Sequence, residues 1–245
     1  MQLNLHHLDC GQSFAHYHTD RSNFQRFFAE RLLAEPGLHG SVLDIGCGHG
    51  INPCLDRILM PGLVIDGVDP FPVVDPSNHL RNRWTSRLED LAVPDSSYDL
   101  AFSYNVIEHV EDGPSFMRKA IALLKPGGVY WAVAPHGRHP FTLAVRLVQA
   151  VGLKRLYRAC VNRRSNDYPA WYRLCSVAGL RRALRDCVDE VASVDVFLLH
   201  NVQWDVYFPP CLRFVPHLVD RVAILPRSSR EFIFACRIIK RRGEG

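Results

Sequence analysis

Apolar residues recur along the chain at two periods. Between residues 13 and 35, Phe24, Phe27, Phe28, Leu32 and Leu33 fall at helical spacing, and Pro36-Gly37 closes the run, which predicts an amphipathic helix. Short apolar runs follow. "SVLDIGCG", starting at Ser41, reads as a strand running into glycine, and a short helix is expected near Pro53 to Met60, stopped by Pro61-Gly62. "LVIDGVDP" (63–70) is a second strand that ends in an acid. Pro72 and Pro76 then break the chain, so 70–82 is expected to be mostly loop. A weak third strand near Arg83 to Ser86, a fourth at 97–105, a helix from Pro114 to Leu124 and a fifth strand at 129–136 complete the front half.

The rear half carries a basic helix within 141–157, a polar link "NRRSND", a second helix near 177–187 and strands at 191–199 and 231–239, with no internal repeat. Strands spaced by helical segments mean βαβ units, whose crossovers are right-handed. The expected fold is therefore α/β, a Rossmann-like doubly wound sheet. As one domain it divides into an N-terminal helical cap (1–40), a core (41–136), a helical insertion after the fifth strand (137–190) and C-terminal strands (191–245).

Composition narrows the class without naming a chemistry. A chain of 245 residues with 47% hydrophobic and 22% charged residues is an ordinary globule. No run of about 18 apolar residues occurs, and "MQLNLHHLDC" lacks the basic start and apolar run of a signal peptide, so a cytoplasmic protein is expected. The eight cysteines are scattered without zinc-type spacing and read as reduced thiols. Charge is informative only when split. Up to His136 there are 10 Lys and Arg against 16 Asp and Glu, and beyond it 19 against 9.

The dense glycine run behind the first strand, "VLDIGCGHG" (42–50), is the main chemical signal. Glycines at 46, 48 and 50 let the backbone turn sharply and let a ligand approach the main chain. In an open parallel sheet this is where ligands bind. Asp44 within the strand would repel a pyrophosphate but suits a ligand with a positive amino group. Asp69, 21 residues after Gly48, stands where a carboxylate can take both ribose hydroxyls. Together they fit a nucleoside with a cationic tail. A nicotinamide enzyme would need glycine three residues after Gly48, where this chain has Ile51.

Four blocks in order, "VLDIGCGHG", "IDGVDP", "LEDLAVPDSSYDLAFSYNVIEHVED" and "LLKPGGVYWAVAP", resemble the class I S-adenosylmethionine-dependent methyltransferases, in particular the type 11 methyltransferase domain, over about residues 41–135. The resemblance implies a mostly parallel seven-stranded sheet with an antiparallel last strand, and S-adenosylmethionine as cofactor. It implies that Asp44, Gly46, Cys47 and Gly48 hold the methionine part and Asp69 the ribose. Pro70 and Phe71 would lie on the adenine, Leu88 would offer its N–H to the adenine edge, and Asn105 its carbonyl to the amino group. Where such domains carry an acid before Leu88, this chain has Arg87, which has no acceptor, so either Glu89 or Asp90 substitutes or that contact is missing.

Methyl transfer needs alignment, and a base only when the acceptor must lose a proton. His136, after the fifth strand, and His109 are the candidate catalytic residues, and Tyr17, Tyr168 and Tyr172 the candidate substrate contacts. The fourth strand ends in neither an Asp/Asn-Pro-Pro-Tyr box nor a metal-binding Asp, so no metal is expected. The expected acceptor is a small molecule, methylated on oxygen in preference to nitrogen or carbon, of natural-product, glycan or lipid-like kind. Residues 138–164 hold seven Lys and Arg and no acid among apolar residues, which suits an anionic acceptor or a peripheral membrane contact better than nucleic acid. The rival reading is a non-catalytic S-adenosylmethionine-binding or membrane-surface interaction protein.

Overall fold

The computed structural model describes residues 1–9, 23–48, 63–71, 80–150, 169–200 and 231–243, with the isolated positions 202, 214, 215 and 218. Eight strands form one sheet: β1 (Gln2–Asp9), β2 (Ser41–Ile45), β3 (Val64–Asp69), β4 (Leu80–Thr85), β5 (Tyr98–Tyr104), β6 (Leu124–Pro135), β7 (Val191–His200) and β8 (Ile233–Lys240). Their order is β1-β7-β8-β6-β5-β2-β3-β4. Among the described strands, only β8 runs antiparallel to its neighbours, β6 and β7. The doubly wound sheet with an antiparallel last strand is as expected, but the strand count is corrected from seven to eight. Residues 2–9, assigned to a helical cap, form a strand pairing parallel with β7. The expected helix at 53–60 lies outside the described residues.

The central strands are buried on both faces, as a parallel sheet requires. Val42 to Ile45 and Val129 to Ala134 are uninterrupted buried runs. β4, "LRNRWT", is a polar edge strand whose Arg81 and Asn82 side chains grip the buried Asp66 carboxylate of β3, with the Tyr98 hydroxyl as a further donor. Burial opposes charge on Asp66, but hydrogen bonds from Arg81, Tyr98 and Asn82 outweigh it and hold the carboxyl below its ordinary range.

Helices cover both faces. Helix α1 (Asn23–Leu33) buries Phe24, Phe27, Phe28 and Leu32, one stripe at i, i+3, i+4 and i+8. Phe28 meets Phe102 and Trp131 edge-on, with ring centroids 6.3 and 6.4 Å apart. On the other face, α2 (Gly113–Leu123) starts at Asp112, whose carboxylate accepts from the Ser115 N–H at 3.1 Å. It buries Phe116, Met117, Ala120 and Ile121 beside α4 (Val177–Ala183), and α3 (Pro140–Ala150) follows β6.

Glu35, just beyond α1, fastens this helix to the sheet. Its buried carboxylate accepts from Trp131 Nε1 at 2.7 Å and from two Arg237 nitrogens. Removing it strands the indole N–H and loosens a half-buried guanidinium. Glu35→Ala is expected to lose roughly 2 kcal/mol of stability in urea denaturation, and a loss under ~0.5 kcal/mol would contradict the tether.

Candidate functional site

The sheet order reverses at β2, which lies between β3 and β5. The crevice beyond the carboxyl ends of these strands is the topological switch point where α/β proteins bind ligands. The loop leaving β2 is built for close approach. Gly46 and Gly48 have φ of +76° and +56°, and a Cβ on Gly46 would sit 2.2 Å from Val106 Cγ2. No side chain fits there, because the β2 and β5 loops touch. At Gly48 a Cβ would meet nothing within 4 Å among the described residues, so none of them covers the backbone there. Cys47 turns away: a Cβ on Gly67 of β3 would lie 2.8 Å from its Sγ. Burial above all pushes the Cys47 thiol up to about 12, which makes it packing and not a nucleophile.

Two acids flank this loop in different states. Asp69 accepts from the Gly48 N–H and the Phe71 N–H, each at 2.9 Å, so it clamps loop to strand end while keeping lone pairs to spare. Asp44 is fully buried, and neither carboxyl oxygen has a hydrogen-bond partner among the described residues. Burial, reinforced by Asp69 and opposed by Arg83, pushes its carboxyl up to about 8. A buried carboxyl left in this condition is costly unless a cation or donor arrives. Arg83, which sequence reading passed over, reaches from β4 to donate to the Gly48 carbonyl. It stands on a polar edge strand that reads as solvated surface.

The β5 end supplies a second orphan. Asn105 sits at φ +54°, held by its N–H to the Val133 carbonyl at 2.9 Å, and its Oδ1 is buried with no hydrogen-bond partner among the described residues. The turn after it (Ile107–His109) carries Glu108, another buried acid that sequence reading missed. Burial pushes its carboxyl up to about 8. Its main-chain carbonyl accepts the N–H groups of Trp171 and Tyr172 at 2.7 and 2.9 Å. His109 Nδ1 bonds the Pro169 carbonyl at 2.9 Å, and Arg173 donates to the Glu111 carbonyl at 2.8 Å while lying over the Trp171 ring. Residues 169–173 thus form a strap hooked onto the turn behind Asn105. Gly137 ties the strap's far end to β6 through its N–H to the Cys175 carbonyl at 2.7 Å.

His136 follows β6 and is buried against Phe234. Its Nδ1 lies 3.1 Å from the Glu231 carbonyl, which can only accept, so Nδ1 carries the proton and Nε2 is the basic nitrogen in the neutral ring. His109 is fixed in the same tautomer by Pro169. Of the other expected contacts, Pro70 and Phe71 stand at the exposed rim, Phe71 at 44% exposure. Leu88 is buried, Arg87 exposed and Glu89 intermediate, in a turn where the Asp90 and Leu91 N–H groups bond the Arg87 and Leu88 carbonyls. Tyr172 is half-buried in the strap at φ +54°. Tyr17 and Tyr168 lie outside the described residues.

Comparison with known proteins places the chain in a family. The methyltransferase domain family matches residues 16–165. A ubiquinone biosynthesis O-methyltransferase of Methylobacterium nodulans is 33% identical over 101 residues, 38% of this chain and 39% of that protein. A probable S-adenosylmethionine-dependent methyltransferase of Mycolicibacterium smegmatis is 30% identical over 101 residues, 39% of this chain and 38% of that protein. The matches thus span about two fifths of these relatives' lengths. Among solved structures, a methyltransferase of Archaeoglobus fulgidus superposes at TM-score 0.53 with 16% identity, covering 88% of this chain and 94% of the other. Geranyl diphosphate C-methyltransferase of Streptomyces coelicolor does so at 0.53 with 14% identity, covering 89% and 78%. These two likenesses concern the fold.

Asp44 and Glu108 make a measurable signature. Both hold protons in the folded chain that the unfolded chain releases, because their folded values of about 8 stand above the ordinary 3.8 and 4.5. Each therefore contributes a loss of stability as pH rises between about 4 and 8. Asp44→Asn and Glu108→Gln are expected to gain on wild type across pH 5 to 8 in denaturant melts, by up to about 1.4 kcal/mol per pH unit. A difference independent of pH would contradict the buried, protonated state.

Proposed function

The chain belongs to the methyltransferase domain family, and from that premise we propose that it is an S-adenosylmethionine-dependent methyltransferase whose acceptor is a small molecule methylated on a hydroxyl oxygen. The observation that carries the cofactor assignment is the fully buried Asp44 carboxyl, whose two oxygens have no hydrogen-bond partner among the described residues, beside a glycine backbone that none of those residues covers. S-adenosylmethionine, when bound, would supply a methyl on positively charged sulfur, which a nucleophile attacks in line while the neutral thioether, S-adenosylhomocysteine, leaves.

The chain's own groups do the rest. Asp44 and the orphan carbonyl of Asn105 receive the positive amino group, and Gly46 and Gly48 admit it by leaving the backbone bare. Asp69, already pinned by two backbone N–H groups, offers its remaining lone pairs to a ribose diol. Pro70 and Phe71 form the exposed face for adenine, and the Leu88 N–H its edge. Glu89 takes the acceptor duty that Arg87 cannot perform. His136, locked with Nε2 basic, draws a proton from an acceptor hydroxyl, and His109 with Tyr172 closes the strap side of the pocket. The oxygen preference is supported by this tautomer and by the O-methyltransferase named above as a relative.

Calorimetry tests the cofactor assignment. Micromolar binding of S-adenosylhomocysteine is expected, weakened at least ~30-fold, about 2 kcal/mol, by Asp69→Ala. No binding by a folded wild type would overturn it. With an acceptor found by screening phenols, glycosides and prenylated alcohols, His136→Gln is expected to slow turnover about 100-fold while leaving cofactor affinity within twofold.

A membrane-surface role is favoured by α3. Leu143 and Leu147 are 49% and 64% exposed one turn apart, Arg146 is exposed beside them, and 138–164 carries seven Lys and Arg and no acid. Such a face suits docking on anionic lipid to collect a lipid-like acceptor. Among the described residues no helix is long and apolar enough to cross a membrane. Wild type is expected to sediment with phosphatidylglycerol vesicles and Leu143→Ser/Leu147→Ser to remain in the supernatant. Equal sedimentation of the two would remove this role.

A further inference from the structure

The added strand β1 places a second imidazole on the acceptor side of the sheet. His7 stands near the carboxyl end of β1, in phase with Leu3, which packs against the cluster containing Phe234, Ala132 and Ala134. His136 follows Ala132 and Ala134 in the same phase and stacks on Phe234 with centroids 6.2 Å apart. The two histidines therefore stand over one face of the sheet, the face against which Leu174 and Cys175 of the strap's end also pack.

One residue orients both. Glu231, just before β8, is fully buried; its Oε1 is hydrogen-bonded to His7 Nδ1 and its main-chain carbonyl to His136 Nδ1. The second carboxyl oxygen has no hydrogen-bond partner among the described residues, so the imidazole is the carboxyl's one described partner. A buried carboxylate on Nδ1 fixes ring orientation and tautomer and leaves Nε2 as the working nitrogen, the carboxylate–imidazole arrangement that enzymes use to aim a histidine. The His7 side chain is 34% exposed, within reach of a ligand. Nothing in the core requires this pair: burying a polar carboxyl under an exposed imidazole carries a desolvation cost, and an apolar pair would pack without it.

We propose that Glu231 and His7 form a specificity-determining pair that reads a hydroxyl group at the far end of the methyl acceptor, the hydroxyl donating to His7 Nε2. Position sets the role. From β2 the sheet runs β5, β6, β8, β7 and β1, so the start of β8 lies three strand spacings from the glycine loop, about 14 Å. His136, at the end of β6, stands nearer the loop by one spacing. The methylated atom thus belongs to the His136 side, and the pair meets the distal part of the same molecule. This inference rests on the acceptor crevice proposed above. The hydroxyl can be phenolic or that of a sugar.

The test uses protein carrying 15N-labelled imidazoles, with His7 assigned from His7→Gln, in long-range 1H–15N correlation spectra. Catechol and methyl β-glucoside are titrated to tens of millimolar, with and without S-adenosylhomocysteine. His7 is expected to carry its proton on Nδ1, and one probe is expected to shift its Nε2 resonance saturably. The responding probe identifies the phenolic or sugar source. Glu231→Gln, whose amide oxygen still accepts from Nδ1, is expected to keep the tautomer and the response. Glu231→Leu is expected to lose both and to weaken the probe about 10-fold, while binding S-adenosylhomocysteine as wild type does. A His7 resonance untouched by both probes, or a Glu231→Leu protein that responds like wild type, would overturn the proposal. Absent S-adenosylhomocysteine binding with an intact His7 response would instead count against the cofactor reading alone.

Discussion

A carboxyl group sealed into a sheet with no hydrogen-bond partner among the described residues is the constraint around which this molecule is arranged. Asp44 occupies a position in β2 that would serve packing better as valine or isoleucine, and burial raises its carboxyl to about 8. Fold stability gains nothing from it. Its neighbours suit a cationic group: two glycines in left-handed backbone strip side chains from the loop, Asp69 and Arg83 pin that loop at Gly48, and Asn105 brings from the next strand a carbonyl with no hydrogen-bond partner among the described residues. An inert, inward-turned Cys47 fits a pocket that binds without covalent chemistry.

The sheet order converts that local arrangement into a crevice with two ends. Outward from β2, one direction leads through β3 to the polar edge β4, and the other through β5, β6 and β8 to β7 and β1. The first side carries the acid and rim residues that suit a nucleoside. The second carries histidines, the strap at 169–173 and the buried Glu231. The strap hangs on the turn directly behind Asn105 through two N–H groups that bond the Glu108 carbonyl, so one turn carries both the buried amide and the strap.

Much of the first side was legible in the sequence because it is local. A strand, glycines at every second position and an acid ending the next strand are a contiguous pattern, and the buried runs of β2, β5 and β6 are apolar enough to declare themselves. The second side depends on tertiary placement. "QLNLHHLD" has the alternation of an edge strand and too little apolar content to announce one, so residues 2–9 passed as part of a cap. His7 and Glu231 are 224 positions apart and meet only because β1 joins β7 and β7 joins β8. Glu108 lies inside the motif that drew attention to His109, yet as a letter it reads as a surface acid. Its side chain is buried, and its main-chain carbonyl is held by the strap, which is distant in sequence.

The proton carried by Asp44 offers the most direct measurement. Calorimetric titration of S-adenosylhomocysteine at pH 7 in buffers of different ionisation enthalpy counts the protons exchanged on binding. An ammonium group arriving at a carboxyl of pKa about 8 should expel close to one proton, and the count should fall to about zero in Asp44→Asn. Binding with the same proton count in both proteins would contradict a buried acid that waits for a cation.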